Sequence, residues 1–347
     1  MRYWFDILTP KQVNFFKPVI DELRKRKHEV FCTSRRYREV GRLAQLRGMD
    51  LAIIGEHGGE SLHMKLKASA ERVMELINEV EKFEPDVLAS FSSPEAARVA
   101  FGLRIKHVGF NDSPHAEAVC RLSIPLMSKL MCPWIIPVKE FVKYGISEKS
   151  IIQYRALDPA MWLKRRLRYT NIDLDLDPSK NTITFRLEES KAAYQTKNII
   201  SHKLLNSLIK NFTDCNIVIV GRYSDQVEEL KKRYDRDAIV LDDVVDGISL
   251  LMKTDIFIGS GGTMNCEASL LGIPNISYNM QDIAVNRFLV QKRVSYGYTS
   301  VNDVLKLVRR MLNDEKLIGS IKNNGQRLLA QMEDPMKKVI KVLEQVN

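Results

Sequence analysis

The chain has 347 residues, 45% of them hydrophobic, with a formal net charge of +10. That length suggests two domains, each with a core of ordinary size. Cys32, Cys120, Cys132, Cys215 and Cys266 are scattered, odd in number and without a CxxC pair, which argues against a structural zinc site and for buried free thiols in a reducing cytosol.

The first half alternates strand and helix signals. Tyr3–Leu8 reads as a strand rather than a signal peptide, Thr9-Pro10-Lys11-Gln12 as a loop, 13–26 as a helix and Glu29–Thr33 as a strand. A helix over 36–47 and a strand over 51–54 follow, then the loop Gly55-Glu56-His57-Gly58-Gly59 and a long helix from about 61 to 83. Residues 86–90, 106–109 and 134–137 are further expected strands. The segment 121–131 could be a membrane patch, but it is broken by Pro125 and reads better as a core helix. No apolar run reaches membrane-spanning length. This alternation predicts a parallel, doubly wound sheet in residues 1–165, with ligand-facing strand ends at 6–12, 57–59, 90–93 and 111–115.

Residues 166–180 read as an interdomain linker. Asp173-Leu174-Asp175-Leu176-Asp177-Pro178 contains DxD spacing, but strict alternation before a proline reads as an exposed strand or linker rather than a metal site. The second domain is expected over 181–330, and 331–347 form a terminal helix. A strand at 181–186 ends in Arg186. A helix at 198–210 and a strand at 216–220 ending in Gly221-Arg222 come next, then a helix at 225–234, a strand at 238–241 and a helix at 247–252. No solenoid repeat or low-complexity tract is present.

Thr254 to Tyr278 carries the chemistry. Asp255–Ile258 is a strand, Gly259-Ser260-Gly261-Gly262 a tight turn, and 263–271 a helix stopped by Gly272 and Pro274; 273–278 is the next strand. A helix starting at Gly262 or Thr263 offers unpaired N–H groups and its dipole's positive end to an anion, and the glycines admit a phosphate close to the backbone. Glu267, one turn on, can accept hydrogen bonds from vicinal ribose hydroxyls. Phosphate at Ser260, Gly261, Gly262 and Thr263 with ribose at Glu267 describes a nucleotide; Arg186 and Arg222 at strand ends could contact a pyrophosphate.

The run Ser260–Pro274 resembles the donor-binding segment of GT-B glycosyltransferases, including MurG-type N-acetylglucosaminyltransferases, and of non-hydrolysing UDP-N-acetylglucosamine 2-epimerases. Asp6–Pro10, Asn14-Phe15-Phe16, His57-Gly58-Gly59, Phe110-Asn111-Asp112 and His115-Ala116 resemble the mostly archaeal DUF354 family along the whole chain. The resemblance implies an α/β, GT-B-like fold of two Rossmann-like domains facing a cleft, with the terminal helix returning to the first. It implies a cytoplasmic enzyme that needs no metal or cofactor. The nucleotide-sugar, with UDP preferred, is its substrate; the acceptor is a lipid-linked or surface-glycan precursor met at the membrane periphery. It also places the base at the backbone of Val244 and sugar hydroxyls at Gln281, Asp282 and Asn286. Asp282 could equally be a helix cap. In such an enzyme His115, Asp112 and His57 are the candidate general bases, His115 leading because it starts a helix beside Asp112. Thr9-Pro10-Lys11-Gln12 departs from the glycine-rich, histidine-containing turn of MurG-type proteins. Two alternatives stand: a 2-epimerase-like enzyme on the same sugar, and a non-catalytic nucleotide- or polyanion-binding protein. No nucleic-acid module is recognisable.

Overall fold

The computed structural model describes residues 1–59, 61–165, 172–188, 200–221, 224–278 and 280–346. The chain divides into two units, Met1–Arg165 with Met332–Asn347, and Arg166–Gln331.

Unit 1 contains strands β1 (Arg2–Asp6), β2 (Glu29–Arg36), β3 (Ala52–Glu56), β4 (Val87–Ser90), β5 (Lys106–Phe110), β6 (Lys129–Pro133) and β7 (Ile151–Tyr154). They form one parallel sheet in the order β3-β2-β1-β4-β5-β6-β7. The helices are α1 (Pro10–Lys25), α2 (Arg38–Leu46), α3 (Leu62–Phe83), α4 (Pro94–Gly102), α5 (Glu117–Ser123), α6 (Lys139–Val142) and α7 (Ala160–Leu163). Central strands such as Val87–Ser90 are buried along their whole length, as expected when helices cover both faces of a parallel sheet. Phe15 and Phe16 of α1 pack edge-on or tilted against Phe91 and Phe110, ring centroids 4.9 to 5.3 Å apart, and join α1 to the ends of β4 and β5.

Unit 2 contains β8 (Thr182–Arg186), α8 (Ile200–Asn211), β9 (Asn216–Val220), α9 (Ser224–Tyr234), β10 (Ile239–Val240), α10 (Gly247–Leu251), β11 (Ile256–Gly259), α11 (Thr263–Leu271), β12 (Asn275–Tyr278), α12 (Ala284–Gln291), β13 (Tyr296–Tyr298), α13 (Val301–Asn313) and α14 (Glu315–Gln331). Its parallel sheet runs β10-β9-β8-β11-β12-β13. The acidic alternation at 173–177 belongs to no strand or helix, and Leu176 N–H donates to Leu174 O at 2.8 Å. Ile172, Leu174 and Leu176 pack on the core around Val218 and Phe257, while Asp173, Asp175 and Asp177 are exposed. The last helix, α15 (Pro335–Gln345), belongs to unit 1. There Arg26 binds Glu344 at 3.0 Å and Arg165 binds Asp334 at 2.6 Å.

Three local readings are corrected. Residues 10–12 are helical: Pro10 occupies the first turn of α1, where its missing N–H costs nothing, so Lys11 and Gln12 project from a helix start. Residues 121–131 are not one helix. Past α5, Ile124–Leu126 is a 3₁₀ turn and Lys129–Pro133 a central strand; proline at 125 and the β5 ladder override the apolar run. The strand expected at 134–137 is the turn after that strand, with Ile136 N–H donating to Pro133 O at 3.1 Å.

Candidate functional site

In unit 2, β8 and β11 are neighbours with Phe185 opposite Ile258, so Arg186 leaves its strand where β11 enters the glycine turn. Gly261 has φ +96°, and Gly262 has φ +88° with ψ −154°, a combination essentially restricted to glycine. Asn265 ties the turn down: its Oδ1 accepts from the Gly261 N–H at 3.0 Å and its Nδ2 donates to Ile276 O of β12 at 3.2 Å. Helix α11 starts at Gly262 without a side-chain cap and without an acid in its first turn. Gly262 is exposed, Ser260, Gly261 and Thr263 are half-buried, and a methyl on Gly262 would meet nothing within 4 Å. The helix start is therefore open and electropositive, a geometry suited to an oxyanion.

Around this turn the candidates separate. Glu267 is buried at 3% exposure, with Oε2 3.9 Å from where a methyl on Gly247 would sit, beside the start of α10. Asp246 caps α10, accepting from Ser249 Oγ at 2.9 Å. The N–H of Val244 donates to Asp243 Oδ1 at 2.8 Å. Gln281 approaches the turn through Asn286, which donates to Gln281 O at 2.9 Å and stands 3.5 Å from a methyl position on Gly261. Asp282 is exposed and pairs with Arg287 at 2.8 Å; the residue preceding α12 is Ile283, so Asp282 is not its cap. Arg222 lies outside the described residues.

In unit 1 the end of β5 carries Asp112 and His115. The Asp112 carboxylate is 2.8 Å from Lys11 Nζ, which also binds Asp158 at 3.0 Å and lies 4.5 Å from the Phe91 ring centroid. Tyr154 donates a hydrogen bond to Asp158. Two carboxylates share one ammonium. Burial raises the pKa of both, but Lys11 and the Ser113 hydroxyl outweigh it at Asp112 and bring that group below the usual range. At Asp158 burial prevails, reinforced by the charge of Asp112, and its pKa is raised. Burial lowers the pKa of His115 against the opposing charge of Asp112, so the imidazole is neutral near pH 7 and able to accept a proton. His57 follows β3 and stacks on Tyr37 with centroids 5.8 Å apart. Four strand positions separate β3 from β5, about 19 Å at the usual spacing, so the fold groups Asp112 with His115 and not with His57.

The sequence profile described as "Protein of unknown function (DUF354)" matches residues 1–346. The chain belongs to the DUF354 family. This DUF354 protein is similar to an uncharacterized protein of Methanocaldococcus jannaschii, 28% identical over 341 residues, covering 96% of this chain and 94% of that one. Its structure is similar to UDP-GlcNAc 2-epimerase from Neisseria meningitidis bound to UDP-GlcNAc, with TM-score 0.77, 16% identity and 99% and 100% of the two chains covered. It is also similar to the Streptomyces sp. SF2575 glycosyltransferase SsfS6, with TM-score 0.62, 13% identity and 99% and 100% coverage. The DUF354 protein thus has the two-domain, GT-B-like α/β fold of these enzymes. No helix among its described residues is long and apolar enough to cross a membrane.

Sequence reasoning marks the strand end 6–12 of this DUF354 protein but misses which charges pair there. Asp6 and Arg72 are both buried and joined by two hydrogen bonds, at 2.6 and 3.1 Å. Lys11 stands in a stretch that reads as a loop, and Asp158 and Tyr154 lie in a sequence with no motif. The one available signal was chemical: charged residues inside otherwise apolar strand–helix junctions. Replacing Lys11 with methionine leaves Asp112 and Asp158 facing each other and is expected to cost about 2 kcal/mol at pH 7, discounted because Asp112 is partly exposed. Adding Asp158→Asn should restore part of that loss in urea unfolding.

Proposed function

We propose that this protein is a nucleotide-sugar-dependent glycosyltransferase of GT-B type, with a UDP-sugar as donor. The observation that carries the reading is the open, uncapped start of α11 behind Gly261 and Gly262, which offers backbone N–H groups to a diphosphate. Arg186 supplies positive charge at the neighbouring strand end, and Glu267, Val244, Gln281 and Asp282 are the proposed ribose, base and sugar contacts. The UDP-GlcNAc in the similar Neisseria meningitidis structure supports a uridine nucleotide. In unit 1, neutral His115 takes the acceptor hydroxyl's proton and Asp112 stabilises the imidazolium that forms. The acceptor is a hydroxyl compound, lipid-linked or a surface-glycan precursor. The phosphates are held by backbone amides and basic side chains, so the transfer is proposed to need no metal.

A 2-epimerase reading of the same donor site is favoured by the higher structural similarity to epimerases, TM-score 0.77 against 0.62. Thermal-shift screening of UDP-, GDP- and CDP-sugars tests both. UDP-sugars should raise the melting temperature, and Glu267→Ala should remove most of the rise. No stabilisation by any of them sinks both enzyme readings and leaves a protein binding another anion. Conversion of UDP-GlcNAc to its manno epimer without acceptor would identify the epimerase.

A further inference from the structure

β2 and β3 pair with a bulge. Ser34 faces Ile53 and Arg36 faces Glu56, so Arg35 alone spans the interval that Ile54 and Gly55 occupy on β3. Gly55 has φ +75°, and a methyl there would be 2.8 Å from Arg72 Cγ, so only glycine lets Arg72 pass. Arg72 threads through, donates from Nε to Ile54 O at 2.9 Å and occupies Asp6. Glu95 is held by Arg72 at 3.7 Å and by Ser93 Oγ at 3.4 Å. Arg35 is left half-buried beside this cluster, at the carboxyl end of β2, with its Nε buried and without a hydrogen-bond partner.

A guanidinium stays charged in a protein and offers five N–H donors. Removing it from water without pairing those donors is costly, and burial weighs against its charged form, with the positive charge of Arg72 adding to that against Glu95 and Asp6. The position is also where parallel sheets bind ligands. We propose that Arg35 anchors an anion subsite in unit 1, taking a phosphate or similar oxyanion of a soluble ligand. Under the transferase reading, on which this identification rests, that ligand is the acceptor in its surface-glycan-precursor form, carrying a phosphate. The bulge aims the guanidinium, and its planar fork pairs with two oxygens at once.

The test compares full-length wild type, Arg35→Met, Arg35→Lys and Gly262→Ala in chloride buffer and in low-millimolar inorganic phosphate at constant ionic strength, read by calorimetric melting. Arg35→Met should melt higher than wild type without phosphate, because a desolvated cation is gone, and should lose at least half of the phosphate-dependent rise. Arg35→Lys should keep an intermediate rise, and Gly262→Ala should keep the Arg35-dependent part. A lower phosphate-free melting temperature for Arg35→Met, or an undiminished phosphate effect, overturns the subsite. If UDP fails to bind wild type while the Arg35 signature persists, the transferase reading falls and the subsite stands.

Discussion

Arg72→Leu is expected to cost about 3–5 kcal/mol of folding stability at pH 7, because it strands a buried carboxylate. Asp6 is fully buried and accepts from Arg72 at 2.6 and 3.1 Å and from Thr33 Oγ1 at 2.7 Å. Burial favours its protonated form, yet Arg72 and the hydroxyls of Ser93 and Thr33 outweigh burial and hold its pKa below the ordinary value. A carboxyl depressed in the folded state stabilises above its unfolded pKa of about 4, and that contribution is lost as pH falls through the folded value. Without Arg72 the sign reverses: Asp6 is raised, and the variant gains on wild type as it takes up its proton. Urea midpoints at pH 7, 5 and 4 should therefore show a gap that narrows on acidification. A gap constant with pH would mean that lost packing, not charge, explains the cost.

The second large effect is expected at Gly262→Ala. The substitution meets no atom within 4 Å, so any cost comes from the backbone at φ +88° and ψ −154°. Holding alanine there costs about 1–3 kcal/mol. The chain will relieve that strain by shifting the turn, which moves the first amides of α11 and puts a methyl where phosphate would approach. UDP affinity should fall by about tenfold or more, equivalent to at least about 1.4 kcal/mol. Gly145→Ala is the control: φ is +97° and the methyl space is equally open, but it lies in unit 1. It should cost similar stability and leave UDP titration calorimetry unchanged. Equal loss of UDP affinity in both variants would remove the phosphate from α11.

The glycine segment was readable without coordinates because its signals are local. Apolar residues stand before glycines that permit unusual backbone, and Gly272 and Pro274 stop the helix; β11, α11 and β12 follow. The short edge strands β7 and β13 were not readable. Each borders one neighbour at a sheet end, so neither needs the long apolar run that marks a central strand. The first turn of α1 reads as loop because proline and two polar residues mask a helix start.

Backbone conformation at the glycine turn, and the alternation that makes two parallel sheets, were determined by the sequence alone, since steric limits and burial patterns act over a few residues. Which charges meet was decided only by the tertiary structure. Lys11 finds Asp158 across 147 positions and Arg72 finds Asp6 across 66. Residues that distant leave no periodic trace, and strand order brings them within hydrogen-bonding reach. Once buried together they must pair, because a lone charge in the interior costs more than the fold can supply.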